Sequence, residues 1–490
     1  MEEISSGGKY IMRILFILPN VDSSYKLSIH FGIAYIAGVL KSNGYKDIRF
    51  LSVSNINEYD YVIKEVLLFK PDIVGFTSVE TQFTNVINIS KRIKEVWKCA
   101  IVCGGVFPTI FPECLKDAEC LDGVFCGESE MAFFKFVRAI EKGEDYHSVE
   151  NFCFCDSQSG QIVKNNLLSQ ESNLDHLGFP DREIFNFQSV IDLQGNAAPF
   201  MFNRGCPYNC SFCSNHVLAS VYGKRSNSTR KRSVDSCVAE IKDLGSRYRF
   251  DIIQIWDDLF TSDRKWLYEF LDKYKSDIKK PFMCTTRSNL CDEELFKRLK
   301  EGGCYRVHMS LESGNDFIRN KVMRRNISRE KVVQSFNLAN KYKIQTNASS
   351  IIGLPFETEE MIKETISLLG SLKVDSPGVN IFYPYIGTRL REVCEEYGLI
   401  EHERKHNIRE RRESVLNLPH ISSGKLHYYY DNFEDLVRQK EGILSYLKFK
   451  AKAVGRRIAK MILPYNMQNI IRKAKINKIK TENFPVNLES

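Results

Sequence analysis

Three cysteines, Cys206, Cys210 and Cys213, stand at a C-x3-C-x2-C spacing inside Phe202-Asn203-Arg204-Gly205-Cys206-Pro207-Tyr208-Asn209-Cys210-Ser211-Phe212-Cys213. Thiolates are soft ligands that suit iron–sulfur clusters or zinc. Three thiolates on a [4Fe–4S] cluster leave one iron open, and an open iron is a place for something else to bind. The competing reading takes His216 as a fourth ligand in a Cys3His zinc site, although tetrahedral zinc prefers two ligand pairs from separate elements. Charged residues follow at the ends of apolar runs: Asp257 and Asp258, then Arg287, then Glu312. Such charges gather at functional sites and also in structural ion pairs. Asp257 reads equally well as a cap.

These residues need elements to hold them. At 490 residues the chain exceeds one domain, and two or three are expected. Residues 13–20, 48–53, 71–78, 100–105 and 123–128 read as buried strands, with helices predicted over 33–40, 61–68, 83–97 and 132–142. Alternation of this kind means a doubly wound parallel sheet, which binds ligands beyond the carboxyl ends of its strands. The loops there carry Thr77-Ser78, Gly104-Gly105-Val106 and Gly127-Glu128. The glycine pair either lets backbone approach a ligand or makes a tight turn. Cys153 and Cys155 form a C-x-C read as structural thiols. Gly/Pro-punctuated residues around Gly178 read as part of a linker into a second domain.

After the cysteines come strands at 252–260, 282–287, 306–314, 345–352 and 378–383, following a first at 199–202. They predict a barrel of repeated β/α units. In 306–314, Val307, Met309 and Leu311 alternate with Arg306, His308, Ser310 and Glu312. Four polar side chains would be costly in a dry core, so they predict a lumen with a polar ligand. His308 reads there as a hydrogen-bonded lumen residue, with proton transfer as the other reading. Sites in β/α barrels lie at the C-terminal strand ends, where the cysteines, Asp258, Arg287 and Glu312 all fall.

Two resemblances follow from these residues. The runs PDIVGFTSVET, AIVCGGVFPTIFPE and GVFCGESE resemble the B12-binding domain found in front of radical S-adenosylmethionine (SAM) enzymes, over roughly residues 13–143. C-x3-C-x-aromatic-C after a first barrel strand is the signature of the radical SAM superfamily, and IQIWDDLFT, MSLESGND, IIGLPFETEE and YPYIGTRL resemble it too. The resemblance implies a Rossmann-like, cobalamin-binding α/β sheet, then a partial (β/α)6 TIM-type radical SAM barrel. It implies a [4Fe–4S] cluster on Cys206, Cys210 and Cys213. SAM would be contacted by Phe212, Ser310, Glu312, Arg287 and Asp258. Cobalamin would be contacted by Thr77, Ser78, Gly104, Gly105, Val106, Gly127 and Glu128. The D-x-H-x-x-G motif that supplies a lower histidine ligand in other cobalamin proteins is absent. Ser28-Ile29-His30-Phe31-Gly32 has the wrong spacing, so His30 reads as a loop residue and cobalamin as base-off, unless the domain has lost it. Phe356 and Ile386 stand where the family usually has Gly and Pro.

The implied activity is reductive cleavage of SAM to a 5′-deoxyadenosyl radical, with cobalamin-dependent methylation of an unactivated carbon. A cobalamin-associated cyclisation, rearrangement or oxidation is the alternative. A tRNA methylthiotransferase would need three further cluster cysteines in their own structural context. A zinc-dependent binding module is the non-enzymatic reading. The implied partners are a small-molecule substrate, lipid-like or a secondary metabolite, and an electron donor such as flavodoxin or ferredoxin; no nucleic acid is expected.

The remaining features concern location. No apolar run approaches the ~20 residues of a membrane span, and Met1 to Gly8 is too polar for a signal peptide. Fifteen cysteines without a secretory signal read as reduced thiols in a cytoplasm. The net charge of +8 belongs to one segment: eleven Lys/Arg and no acids lie between Lys448 and Lys480. Leu444, Leu447, Ala451, Val454, Ile458 and Met461 recur there at helical spacing, with Pro464 as the stop. This basic amphipathic helix predicts packing on the protein with a solvated face, a peripheral contact with an anionic membrane surface, or an acidic or nucleic-acid partner. The expected division is 11–145 for the B12-binding-like domain, 146–195 for the linker, 196–400 for the radical SAM core and 401–490 for a mainly helical basic region.

Overall fold

The computed structural model describes residues 11–23, 28–223, 229–401, 409–462 and 479. The chain forms two compact units, one of residues up to 187 with 217–227, the other of the remainder.

The first unit is built on strands β1 (Arg13–Pro19), β2 (Asp47–Val53), β3 (Ile73–Thr77), β4 (Ala100–Gly104) and β5 (Gly123–Phe125). All five run parallel, in the order β2-β1-β3-β4-β5. Their apolar runs are buried on both faces, as parallel strands require: all of β3 is buried, as are Ile14, Leu15, Phe16 and Ile17 of β1. Helices Phe31–Ser42, Tyr59–Phe69 and Phe83–Val96 make the crossovers from β1 to β4, and helix Glu130–Lys142 follows β5.

The stretch expected as a linker continues this sheet. β6 (Phe152–Cys155) and β7 (Ile162–Lys164) add antiparallel at the β5 edge. The physical reason is aromatic: Phe152 packs its ring against Phe125, Phe136 and Tyr146, and is fully buried. Cys153 is buried and Cys155 exposed, and the Cys153 sulfur meets that of Cys126, not its C-x-C partner, at 3.5 Å.

The second unit carries the expected partial barrel. β8 (Ala197–Phe200), β11 (Ile252–Ile255), β12 (Phe282–Thr286), β13 (Cys304–Met309), β14 (Gln345–Ile352) and β15 (Ser376–Ile381) form a six-stranded parallel sheet in chain order. A short antiparallel ribbon pairs β9 (Asn203–Arg204) with β10 (Arg230–Lys231). The alternation is clean: Val307 and Met309 are buried while Arg306 and His308 are half-buried, and β14 repeats the pattern over its whole length. His308 lies in register between Thr285 and Asn347.

Two barrel strands stop five residues earlier than expected. β11 ends at Ile255, leaving Asp257 and Asp258 on the following loop. β13 ends at Met309, because the N–H groups of Leu311 and Glu312 both turn to the carbonyl of Ser349 and Glu312 takes a positive φ of 64°.

Beyond the barrel, helix Ser423–Lys440 packs on helix Glu359–Ser371 and on β15. Arg438 fixes it there by donating to the carbonyls of Val374 and Asp375, both at 2.7 Å. The following helix, Ile443–Ile462, does not pack by the expected stripe. Leu444, Leu447 and Val454 are exposed at 71%, 55% and 54%. Its inward side carries Lys450, paired with Asp435, and Phe449 under Arg438. Pro464 and the N-terminal Met1–Gly8 lie outside the described residues, as do the side chains of Ile458 and Met461. Among the described residues no helix is long and apolar enough to cross a membrane.

Candidate active site

The three cysteines lie between β9 and the short helix Asn215–Ser220, past the carboxyl end of β8. Ser211, between Cys210 and Phe212, ties this loop down with every polar group it has. Its N–H donates to the Met323 carbonyl at 3.1 Å, its hydroxyl to the Val322 carbonyl at 2.6 Å, and its carbonyl accepts from Leu390 at 2.9 Å. Asp257 fixes the strand entering the loop: one carboxylate oxygen accepts the N–H groups of Phe202 and Asn203, at 2.7 and 3.1 Å. Asp257 is 1% exposed, and burial pushes its carboxyl up to about 7. It is therefore a structural anchor, holding a distant strand in place of capping the segment that follows it.

Cys210 is buried and Cys206 and Cys213 are half-buried. Burial pushes the Cys213 thiol up to about 12 and raises that of Cys206, and the nearby exposed Asp258 adds to both shifts. Such thiols favour deprotonation only against a compensating cation or metal. One cation lies against the central sulfur. The Arg287 guanidinium reaches the Cys210 sulfur at 3.2 Å, lies 3.8 Å over the Tyr208 ring and donates to Asn289 at 2.9 Å and to the Arg325 carbonyl. Asn289 in turn donates to the Tyr208 hydroxyl at 2.6 Å.

Glu312 pairs with Arg325 at 3.0 Å, and Arg325 also donates to the Ser310 carbonyl at 3.0 Å. Burial pushes Glu312 up, against the pull of Arg325. Ser310 and Ser349 both place their hydroxyls on Nε2 of His308, at 3.3 and 3.2 Å. Burial holds this histidine below the ordinary imidazole range. The structure thus links Cys206, Cys210, Cys213, Asp258, Arg287, Glu312 and Ser310 at one strand-end region, with Phe212 half-buried on the cysteine loop. Arg325, Ser211 and Tyr208 are parts of it that spacing did not reveal. Arg325 lies 13 residues beyond its carboxylate partner, with no periodicity to mark it.

The fit of a metal group can be judged from the donors. Among the described residues no three His, Cys, Asp or Glu side chains close on a single ion. Three thiols spread along one loop suit a cubane, in which each thiolate takes a different iron.

In the first unit, Thr77, Ser78, Gly104, Gly105, Val106, Gly127 and Glu128 all fall at the carboxyl ends of β3, β4 and β5. Gly105 has φ 103°, and a Cβ there would come within 2.8 Å of Thr77 and Ser78, so only glycine permits these loops to pack. Gly127 (φ 76°) and Glu128 lie under Tyr222, whose hydroxyl accepts the Glu128 N–H at 2.6 Å. His30 caps helix Phe31–Ser42: its Nδ1 accepts the Ile33 N–H at 3.2 Å. An N–H can only donate, so the proton of this neutral imidazole sits on Nε2, which faces the Thr77 hydroxyl at 3.3 Å. Both nitrogens are occupied, and burial lowers its pKa to about 4. The loop set therefore suits a corrinoid held without a protein histidine on cobalt.

A parallel α/β sheet followed by a six-stranded partial barrel with a strand-end cysteine triplet defines a cobalamin-type radical SAM architecture. The family comparisons agree. Residues 18–137 match the B12 binding domain and residues 200–369 the radical SAM superfamily. The chain is a B12-binding-domain-containing radical SAM protein. It is 26% identical over 430 residues to an uncharacterized methyltransferase of Pyrococcus horikoshii, covering 85% of this chain and 90% of that one. It is 27% identical over 389 residues to the anaerobic magnesium-protoporphyrin IX monomethyl ester cyclase of Rubrivivax gelatinosus, covering 76% and 68%. Its fold is similar to that of the radical SAM methyltransferase TsrM of Kitasatospora setae, solved with cobalamin and a [4Fe–4S] cluster bound. The TM-score is 0.63 at 14% identity, covering 85% and 84% of the two chains.

Proposed function

We propose that this protein is a radical SAM enzyme that uses cobalamin to methylate an unactivated carbon of a small polar molecule. The observation that carries the reading is the cysteine triplet on a strand-end loop with a buried guanidinium against its central sulfur. When bound, a [4Fe–4S] cluster and SAM supply a 5′-deoxyadenosyl radical by reductive cleavage of a C–S bond, and cobalamin supplies the methyl group.

In this reading Cys206, Cys210 and Cys213 hold the cluster. Ser211 and Asp257 keep their loop in place. Phe212, Asp258, Arg287, Ser310 and Glu312 orient SAM. Thr77, Ser78, Gly104, Gly105, Val106, Gly127 and Glu128 would seat the corrinoid. The substrate lies against Arg306, His308, Asn347 and Ser349, whose half-buried polar row on β13 and β14 favours a polar molecule over the lipid-like one expected from the tail. His308, half-buried and neutral on two hydroxyls, positions the substrate by hydrogen bonding.

The likeness to a cyclase supports a second reading, in which the same radical closes a ring. Both need a one-electron donor, of flavodoxin or ferredoxin type. The exposed apolar stripe of helix Ile443–Ile462 supports a peripheral membrane contact, to be tested by co-sedimenting the full chain with anionic vesicles.

The deciding experiment is anaerobic reconstitution with SAM and a reductant, followed by iron and sulfide analysis, mass spectrometry and a corrinoid spectrum. Formation of 5′-deoxyadenosine without bound corrinoid keeps the radical assignment and sinks the methylation route. Zinc without sulfide sinks both. Any of Cys206→Ala, Cys210→Ala or Cys213→Ala retaining full SAM cleavage contradicts the ligand assignment.

A further inference from the structure

We propose that Arg287 is a positioning residue for the cluster itself: by donating to the Cys210 sulfur it raises the cluster's reduction potential. This rests on the radical SAM reading and goes beyond a role in holding SAM.

The argument is one of charge. Arg287 is 6% exposed. Its acceptors are the Asn289 amide oxygen, the Arg325 carbonyl and the Cys210 sulfur, and its flat face lies on Tyr208. Among the described residues no carboxylate pairs with it; the nearby Glu312 is taken by Arg325. A buried cation without an anionic partner is costly, and evolution of a fold tolerates it where a bound group supplies the charge.

Arg287 itself has no carboxylate against it, which leaves a positive charge in contact with the Cys210 sulfur. A cluster on three thiolates is an anion and gains one more negative charge on reduction. A fixed cation and an N–H donor on a ligating sulfur stabilise the reduced form more than the oxidised form, which moves the potential upward. Arginine suits this better than lysine because its fork holds the carbonyl, the amide and the sulfur at once, and its plane stacks on the ring.

The test uses the full chain, reconstituted anaerobically as wild type, Arg287→Gln and Arg287→Lys. Iron and sulfide are counted first, and the cluster's midpoint is then read by an EPR-monitored redox titration without substrate. With an unchanged cluster count, R287Q shifts to more negative potential, so that at the wild-type midpoint its reduced-to-oxidised ratio is roughly tenfold lower, or about 59 mV for one electron. R287K, which keeps the charge and loses the fork, falls between and reports if R287Q loads poorly. A midpoint unmoved in both variants overturns the proposal, as does an unmoved midpoint with weakened SAM binding, which assigns Arg287 to SAM alone. Failure of the wild type to take up iron and sulfide is a separate measurement and sinks the parent reading.

Discussion

Glu357 lies in the loop after β14 and is 1% exposed. One of its oxygens accepts the N–H groups of Gly353 and Leu354, at 2.6 and 3.3 Å, and the other has no partner. Burial lifts its pKa from 4.5 to about 8, against the opposing pull of those two N–H groups. The folded chain therefore holds a proton between these values that the unfolded chain releases. Its stabilising contribution is complete below about pH 4.5 and is lost as pH rises through about 8. One pKa unit corresponds to about 1.4 kcal/mol, so the loss between about pH 6 and pH 8 is about 2 kcal/mol. Glu357→Gln keeps an oxygen for the two N–H groups and removes the titration. Melting curves of metal-free wild type and E357Q should converge or cross as pH rises, by roughly 3 °C over that interval for a unit of this size. Asp257, pushed up to about 7 by burial, bends both curves in the same direction. The difference between the two proteins is thus the quantity to read. Melting curves that stay parallel across this range refute the buried, protonated carboxyl.

Other outcomes follow from the same geometry. Glu312→Gln leaves Arg325 buried without its carboxylate and should cost about 3–5 kcal/mol, read by denaturant unfolding of the metal-free chain. Phe356 adopts a φ of 66° where the family usually has glycine, and its ring meets Tyr397 at 5.0 Å. Strain of about 1–2 kcal/mol and an aromatic contact of about 1 kcal/mol nearly cancel, so Phe356→Gly should change stability by less than about 1 kcal/mol. His30→Ala removes a helix cap worth about 1 kcal/mol and should leave the spectrum of any bound corrinoid unchanged. A change in the cobalt ligand-field bands would restore His30 as a ligand.

Much of the fold was legible because parallel strands announce themselves by continuous apolar runs and barrel strands by alternation. β14 was readable to its last residue. β6 was not: Phe152-Cys153-Phe154-Cys155 displays its thiols, while the feature that builds the strand is the ring of Phe152 in a cluster assembled from distant residues. The early end of β13 was equally hidden. Its sequence alternates through Glu312, and only the carbonyl of Ser349, 37 residues on, explains why the chain turns there. The exposed stripe of helix Ile443–Ile462 marks a further limit. Periodicity identifies an apolar face and says nothing of whether another surface covers it.

The site divides in the same way. Ligand atoms for a cluster must come from a short loop, so their spacing is local and readable. The charges around it are held by whichever strands arrive beside that loop. Arg287 directly follows β12 and Arg325 follows the helical turn Ile318–Val322, 77 and 115 residues after Cys210. No spacing rule links them, yet together with Glu312 they set the electrostatic balance at the central thiol. Substitutions among the cysteines therefore test whether a cluster binds. Substitutions at Arg287 test what a cluster can do once bound, whereas those at Glu312 and Arg325 also break a buried ion pair and are read beside the stability they cost.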